Sequence, residues 1–125
     1  MDENEIATVV VDAALKVHRI LGPGLLESVY ETVLAHEVRG RGLRVRTQVP
    51  IPIEYEGVRI ERGFRADLIV EERLLVELKC AERASAAHKK QTLTYLRLAG
   101  LKLGLLLNFS HELMKQGITR VVNGL

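Results

Sequence analysis

The stretch FRADLIVEERLLVELKC, Phe64 to Cys80, decides the fold: it reads as two strands joined by a tight turn, yet it carries Asp67, Glu77 and Lys79 among its hydrophobes. Side chains alternate faces along a strand, so Glu77 and Lys79 share one side while Val76 and Leu78 share the other. On the preceding strand the same alternation puts Asp67 with Ile69, opposite Ala66, Leu68 and Val70. A two-residue loop would send the acids to opposite faces. An odd loop, Glu71-Glu72-Arg73, sets Leu68 across from Val76 and Asp67 across from Glu77. Only the odd loop collects Leu68, Val70, Leu74, Val76 and Leu78 on one buried face, and that register forces the two carboxylates together.

Facing carboxylates repel, so something must offset the cost. One reading is ordinary: Lys79 neutralises the pair as a cross-strand salt bridge on a wet face. The other is a cation site, because a hard divalent ion such as Mg²⁺ is held by one or two carboxylates and keeps several waters. Lys79 would then hold a water or a phosphate oxygen.

Outward from the hairpin, the pattern changes twice. From Glu5 to Leu21 the positions Ile6, Val9, Ala13, Val17 and Ile20 recur at helical spacing, and LGPG, Leu21 to Gly24, breaks the helix. Leu26, Val29, Tyr30, Val33 and Leu34 restore the period until the glycines of RGRG end a second helix. Val45, Thr47 and Val49 then alternate with polar residues, and Pro50 and Pro52 place that strand at an edge or near its end. EYEGVRI adds a turn at Glu56-Gly57. Beyond the hairpin, Ser85 is the expected N-cap of a helix through Leu98, with Gly100 as its left-handed stop. LKLGLLLNF reads as a strand buried on both faces, SHELMKQG as a polar connection and ITRVVN as a last strand.

Composition bounds the function. A chain of 125 residues, 47% hydrophobic, builds one sizeable core, so a single domain over residues 1–125 is expected. The net formal charge of +2 does not mark a nucleic-acid binder, and any basic surface must be local. A lone cysteine, Cys80, makes no internal disulfide, and with no charged leader before an apolar run a reducing cytoplasm is the expected compartment. No apolar run is long enough for a membrane span. His18, His36 and His111 have no zinc spacing with one another or with Cys80, and neither HEVRG nor HELMK carries a metalloprotease second histidine.

The spacing from Asp67 to Glu77-Leu78-Lys79 resembles the D…ExK signature of the PD-(D/E)xK nuclease superfamily. GLLESVY, Gly24 to Tyr30, matches the pattern that names the small GxxExxY proteins within it, and QTLTYL, Gln91 to Leu96, resembles the QxxxY helix of some branches. The resemblance implies an α/β (α+β) restriction-endonuclease-like core, helix-strand-strand-strand-helix-strand, here with an extra N-terminal helix. It further implies a Mg²⁺- or Mn²⁺-dependent nuclease, with DNA as the expected substrate, in which Asp67 and Glu77 ligate the metal and Glu27 reaches in from the second helix. Lys79 would orient or activate the attacking water, and Gln91 and Tyr95 would line the site. Tyr30 joins them through the motif, although a core tyrosine with a bonded hydroxyl is the commoner fate. His88, one turn before Gln91, would touch a phosphate or be an ordinary surface histidine. The superfamily's frequent proline before the first acid is absent, since Arg65-Ala66 stand there. The alternative is a nucleic-acid- or protein-binding module, or an accessory subunit, that keeps the fold without cutting. Little surface is left for choosing a sequence, and a homodimer is one way to supply more.

Overall fold

The computed structural model describes residues 1–81 and 86–125. Helices α1 (Glu3–Leu21) and α2 (Glu27–Gly40) precede strands β1 (Val45–Tyr55), β2 (Val58–Val70) and β3 (Leu74–Lys79). Helix α3 (Ala86–Ala99), β4 (Leu103–Asn108), a short 3₁₀ turn (Met114–Gly117) and β5 (Ile118–Val122) complete the chain. The five strands form one mixed sheet in sequence order, antiparallel except for the parallel pair β3–β4. That parallel step requires a crossover, which α3 supplies. This is the α+β architecture expected from the sequence, with β5 the last strand read from ITRVVN.

Helices α1 and α2 cover one face of the sheet. Ile6, Val10, Ala13 and Val17 of α1 and Tyr30, Leu34 and Val38 of α2 meet Leu68, Val70, Leu74, Val76, Leu78, Leu103, Leu105 and Leu107. Helix α3 covers the other, where Leu96 packs with Val49, Ile51, Ala66, Ile69, Leu75 and Val121. Gly104 lets α3 approach, because an added Cβ would lie 3.2 Å from Thr92 and 3.3 Å from Leu96. The β3–β4 centre is therefore buried on both sides, as its continuous apolar runs predict.

Both helical stripes are rotated from the expected ones. Ile20, Leu26 and Val29 are exposed rather than core, because α1 buries Val10 and Ala14 instead, and Leu26 is the N-cap of α2, outside its first turn. Asp2 and Glu5 form a reciprocal capping box that starts α1 two residues earlier than periodicity alone implies. Gly100 takes φ +70° after α3, and Leu101 N–H closes back on the Leu96 carbonyl at 3.0 Å, the expected left-handed stop. Ser85, the expected cap at the other end, lies outside the described residues.

The hairpin register is the odd one: Leu68 pairs with Val76, Ile69 with Leu75 and Val70 with Leu74. Its turn puts two non-glycine residues, Glu71 and Glu72, at φ +52° and +55°, a conformation that costs roughly 1–2 kcal/mol per L-residue. Two arginines offset that cost. Glu71 accepts from the N–H and Nε of Arg44 at 2.8 and 3.0 Å, and Glu72 takes both a 2.6 Å Nε bond and a 2.6 Å Nη2 bond from Arg46. No helix among the described residues is long and apolar enough to cross a membrane.

Candidate active site

Strict alternation fails at Gln48, and the site is built there. The β1–β2 ladder pairs Thr47 with Leu68 and Val49 with Ala66 but skips Gln48 and Asp67 between them, where Gln48 takes φ +50°. Val45 and Leu68 consequently face the α1–α2 layer, while Val49 and Ala66 face α3. Ala66 thus sits on the face opposite Leu68, not beside it as alternation predicts, because the left-handed residue switches faces. The β2–β3 ladder also stops at Leu68–Val76, so Asp67 and Glu77 are not a ladder pair. Asp67 turns its carboxylate into the opened end of the sheet, where Oδ2 accepts Leu78 N–H at 2.8 Å.

Glu77 is 5% exposed, and its Oε1 has no hydrogen-bond partner among the described residues. Burial first, then the charge of Asp67, then the hydrogen bond that the protonated group shares with Asp67 push its carboxyl up to about 9. Lys79 is half-buried next along the same face and partly opposes that rise, yet closes no ion pair with either acid among the described residues. The salt-bridge reading of the stripe is therefore not what the structure contains.

From the other layer, Glu27 stands at the first position of α2. Its carboxyl is raised by partial burial and by Asp67, with Lys79 pulling the other way. One turn on, Glu31 is raised by burial, while the hydrogen bond from Gln48 lowers it. The Gln48 amide bonds Glu31 and reaches Asp67 Oδ1 at 3.4 Å. A cavity of about 230 Å³ is lined by Glu27, Ser28, Glu31, Gln48, Arg65, Asp67 and Leu78. Glu31, Gln48 and Arg65 escaped the sequence reading. Glu31 was visible as the residue four after Glu27 on the same helix face, whereas nothing local marks Gln48 as a left-handed strand residue.

The remaining candidates divide. Tyr95 stacks on Phe64 with ring centroids 3.9 Å apart, and its hydroxyl is raised by burial and by the charges of Glu77 and Asp67, so it borders the acids. Gln91 is exposed on the same helix, and His88 is half-buried with its carbonyl accepting from Thr92. Tyr30 does not line the site: it is fully buried and stacks on Phe109 at 4.5 Å. Its hydroxyl donates to the Gly22 carbonyl at 2.5 Å and accepts Leu25 N–H at 3.2 Å. It thereby clasps the loop that delivers Glu27, because Gly24, at φ +100°, makes the turn just before.

A divalent cation fits what is present at the acid pair. A buried carboxyl with an unpartnered oxygen beside a second carboxylate is a donor set that a hard cation satisfies. No three His, Cys, Asp or Glu side chains close into a ligand cluster among the described residues, so two carboxylates are what the chain would offer such an ion, with water to complete its shell. A larger cavity of about 570 Å³ between α1 and the 3₁₀ turn is lined by Leu15, His18, Arg19, Leu113, Met114 and their neighbours and brings no acid pair together.

The crystal structure of SSO0001 is similar in fold, with a TM-score of 0.56 and 19% identity over 93% of this chain and 67% of that one. No curated protein matches the chain. The model of the PD-(D/E)XK nuclease superfamily matches residues 4–121, a span that takes in the acid pair, Lys79 and all five strands but for Val122, the last residue of β5. The chain belongs to the PD-(D/E)XK nuclease superfamily.

Proposed function

We propose that this protein is a Mg²⁺- or Mn²⁺-dependent nuclease of the GxxExxY type that hydrolyses phosphodiesters in DNA. The observation that carries the reading is Glu77, a buried carboxyl with an orphaned oxygen beside Asp67 and no ion pair from Lys79 among the described residues. A merely structural acid pair gains nothing from this arrangement, since a buried carboxyl beside a second acid costs stability until a proton or a cation offsets the charge. Asp67 and Glu77 would hold the ion, and Glu27 would reach it or its waters from α2. When bound, the cation lowers the pKa of the attacking water and offsets charge that builds on the phosphate oxygens.

Lys79 has the complementary task of holding a water or a non-bridging oxygen with its compact ammonium group. Asp67 is kept aimed by the Leu78 N–H, and Gln48 keeps Glu31 turned toward the acids. The GxxExxY assignment draws support from the loop, where glycine makes the turn, glutamate opens the helix and the tyrosine hydroxyl ties the loop down. Scarce aromatics, 4% of the chain, favour duplex over single-strand stacking.

The two-carboxylate donor set favours one other reading, a fold retained for binding alone, because a weak site would leave the chemistry unperformed. Cleavage of plasmid, linear and single-stranded DNA and of RNA, in chelator and in Mg²⁺ or Mn²⁺, separates the two. Metal-dependent cutting lost in Glu77→Gln is expected. Purified protein that binds DNA but cuts no substrate in either metal establishes the binding module instead.

A further inference from the structure

Three arginines beside or along the β1–β2 hairpin are neutralised: Arg44 by Glu71, Arg46 by Glu72 and Arg59 by Glu61. Arg62 and Arg65 are exposed and take part in no ion pair or hydrogen bond among the described residues. Both line a groove of about 510 Å³ with Gln48, Pro50 and Phe64. Gln48 and Arg65 also line the acid cavity, so the two spaces share a wall.

Residues three apart on a regular strand point to opposite faces, so two arginines at this spacing would not meet in one groove without a device that turns one of them. The device is a bulge. Ile51 pairs with Phe64 and Ile53 with Ile60, which leaves Glu61, Arg62 and Gly63 opposite the single residue Pro52. Gly63 makes the bulge feasible, since an added Cβ would lie 2.1 Å from the Ile53 side chain. An acid pocket continuous with two guanidinium groups that close no ion pair among the described residues, Arg65 feeling only the nearby charge of Glu31, suits an anion long enough to span both.

Resting on the nuclease reading above, we propose that Arg62 and Arg65 form a phosphate-binding track that seats the strand next to the scissile phosphodiester. The preferred substrate is then a polynucleotide, not an isolated phosphodiester. The guanidinium fork matches phosphate oxygens, and successive phosphates along a strand supply the repeated charge that the groove meets.

The test compares Arg62→Ala and Arg65→Ala with Arg97→Ala, which removes the same charge from α3 and lines neither space. Each is assayed on a DNA oligonucleotide and on bis(p-nitrophenyl) phosphate, a single phosphodiester. Each groove variant is expected to lose about tenfold in kcat/KM on the oligonucleotide, several-fold more than it loses on the small substrate. In chelator, where nothing is cut, each should flatten the salt dependence of oligonucleotide binding by about one unit of slope. Losses equal on the two substrates, or a salt slope no different from that of Arg97→Ala, overturn the track. Because the binding measurement requires no turnover, a protein that never cuts defeats the nuclease reading without deciding the track, which the salt slope then decides alone.

Discussion

Asp67 accepts the backbone N–H of Leu78 at 2.8 Å, so the first acid of the site is tied to the main chain between the second acid, Glu77, and Lys79. Its carboxylate serves as a ladder rung where the β2–β3 ladder has stopped. One oxygen therefore carries a structural bond while the group as a whole confronts Glu77.

These two duties are separable by substitution. Asp67→Asn keeps an acceptor for Leu78 and removes the charge facing Glu77, so in chelator it should melt above wild type at the alkaline end, as pH rises through about 9 and Glu77 ionises. Asp67→Ala strands a buried N–H at a cost of about 1–3 kcal/mol and should melt below. Thermal melts of the three proteins decide, and an asparagine variant that falls with the alanine one would show that charge, not the acceptor, holds the strands.

The raised carboxyl of Glu77 makes stability depend on pH. In the folded chain it titrates at about 9 and in the unfolded chain near 4.5. Between those values the folded state keeps a proton that the unfolded state releases. Its contribution is therefore fully present below the lower value and is lost as pH rises through the upper one, at no more than about 1.4 kcal/mol per pH unit. Urea unfolding in chelator should show wild type weakening across this window, with Glu77→Gln flatter and its advantage growing toward the alkaline end. Parallel pH profiles would mean that Glu77 ionises freely.

Loading a cation should expel that same proton. At neutral pH, Mn²⁺ binding is expected to release about one proton and to tighten up to roughly tenfold per pH unit until Glu77 ionises unaided. Calorimetry in buffers of different ionisation enthalpy reads the release directly. Heats that do not vary with buffer would place the ion away from Glu77.

Lys79→Ala should lower the cleavage rate by about 10²–10³-fold, the scale of a lost transition-state contact, and leave oligonucleotide affinity within a few-fold of wild type. Single-turnover rates and Kd measured side by side check this. A variant that cuts at the wild-type rate reduces the lysine to a charge balancer.

The hairpin, its odd loop and the approach of Asp67 to Glu77 were legible because binary pattern and loop parity are local properties, and apolar residues on one face admit a single register. That Glu27 opens α2 on the side of Asp67 was anticipated by the motif resemblance. What stayed hidden depends on breaks in regularity. The left-handed turn of Gln48, which moves Ala66 to the other face, has no glycine or asparagine to announce it. The bulge that turns Arg62 shows only once Ile51 and Ile53 have partners. Tyr30 was misread because the motif that contains it mixes a residue facing the site with one that only anchors the loop.

The β2–β3 turn also bears on the order in which the molecule assembles. Asp67 and Glu77 are joined by a short loop, whereas the parallel β3–β4 pair waits for a crossover through α3, and closing the longer connection costs more entropy before any contact rewards it. On that order the repelling acids meet before the core that confines them exists, and the Arg46–Glu72 pair, which ties β1 to the β2–β3 turn, fixes the turn that brings them together. Stopped-flow refolding should find Arg46→Ala slowing the folding limb, while Leu96→Ala, in the late-docking α3, mainly speeds unfolding. The reverse pattern would put the helix first and make the acid pair the last part of the protein to form.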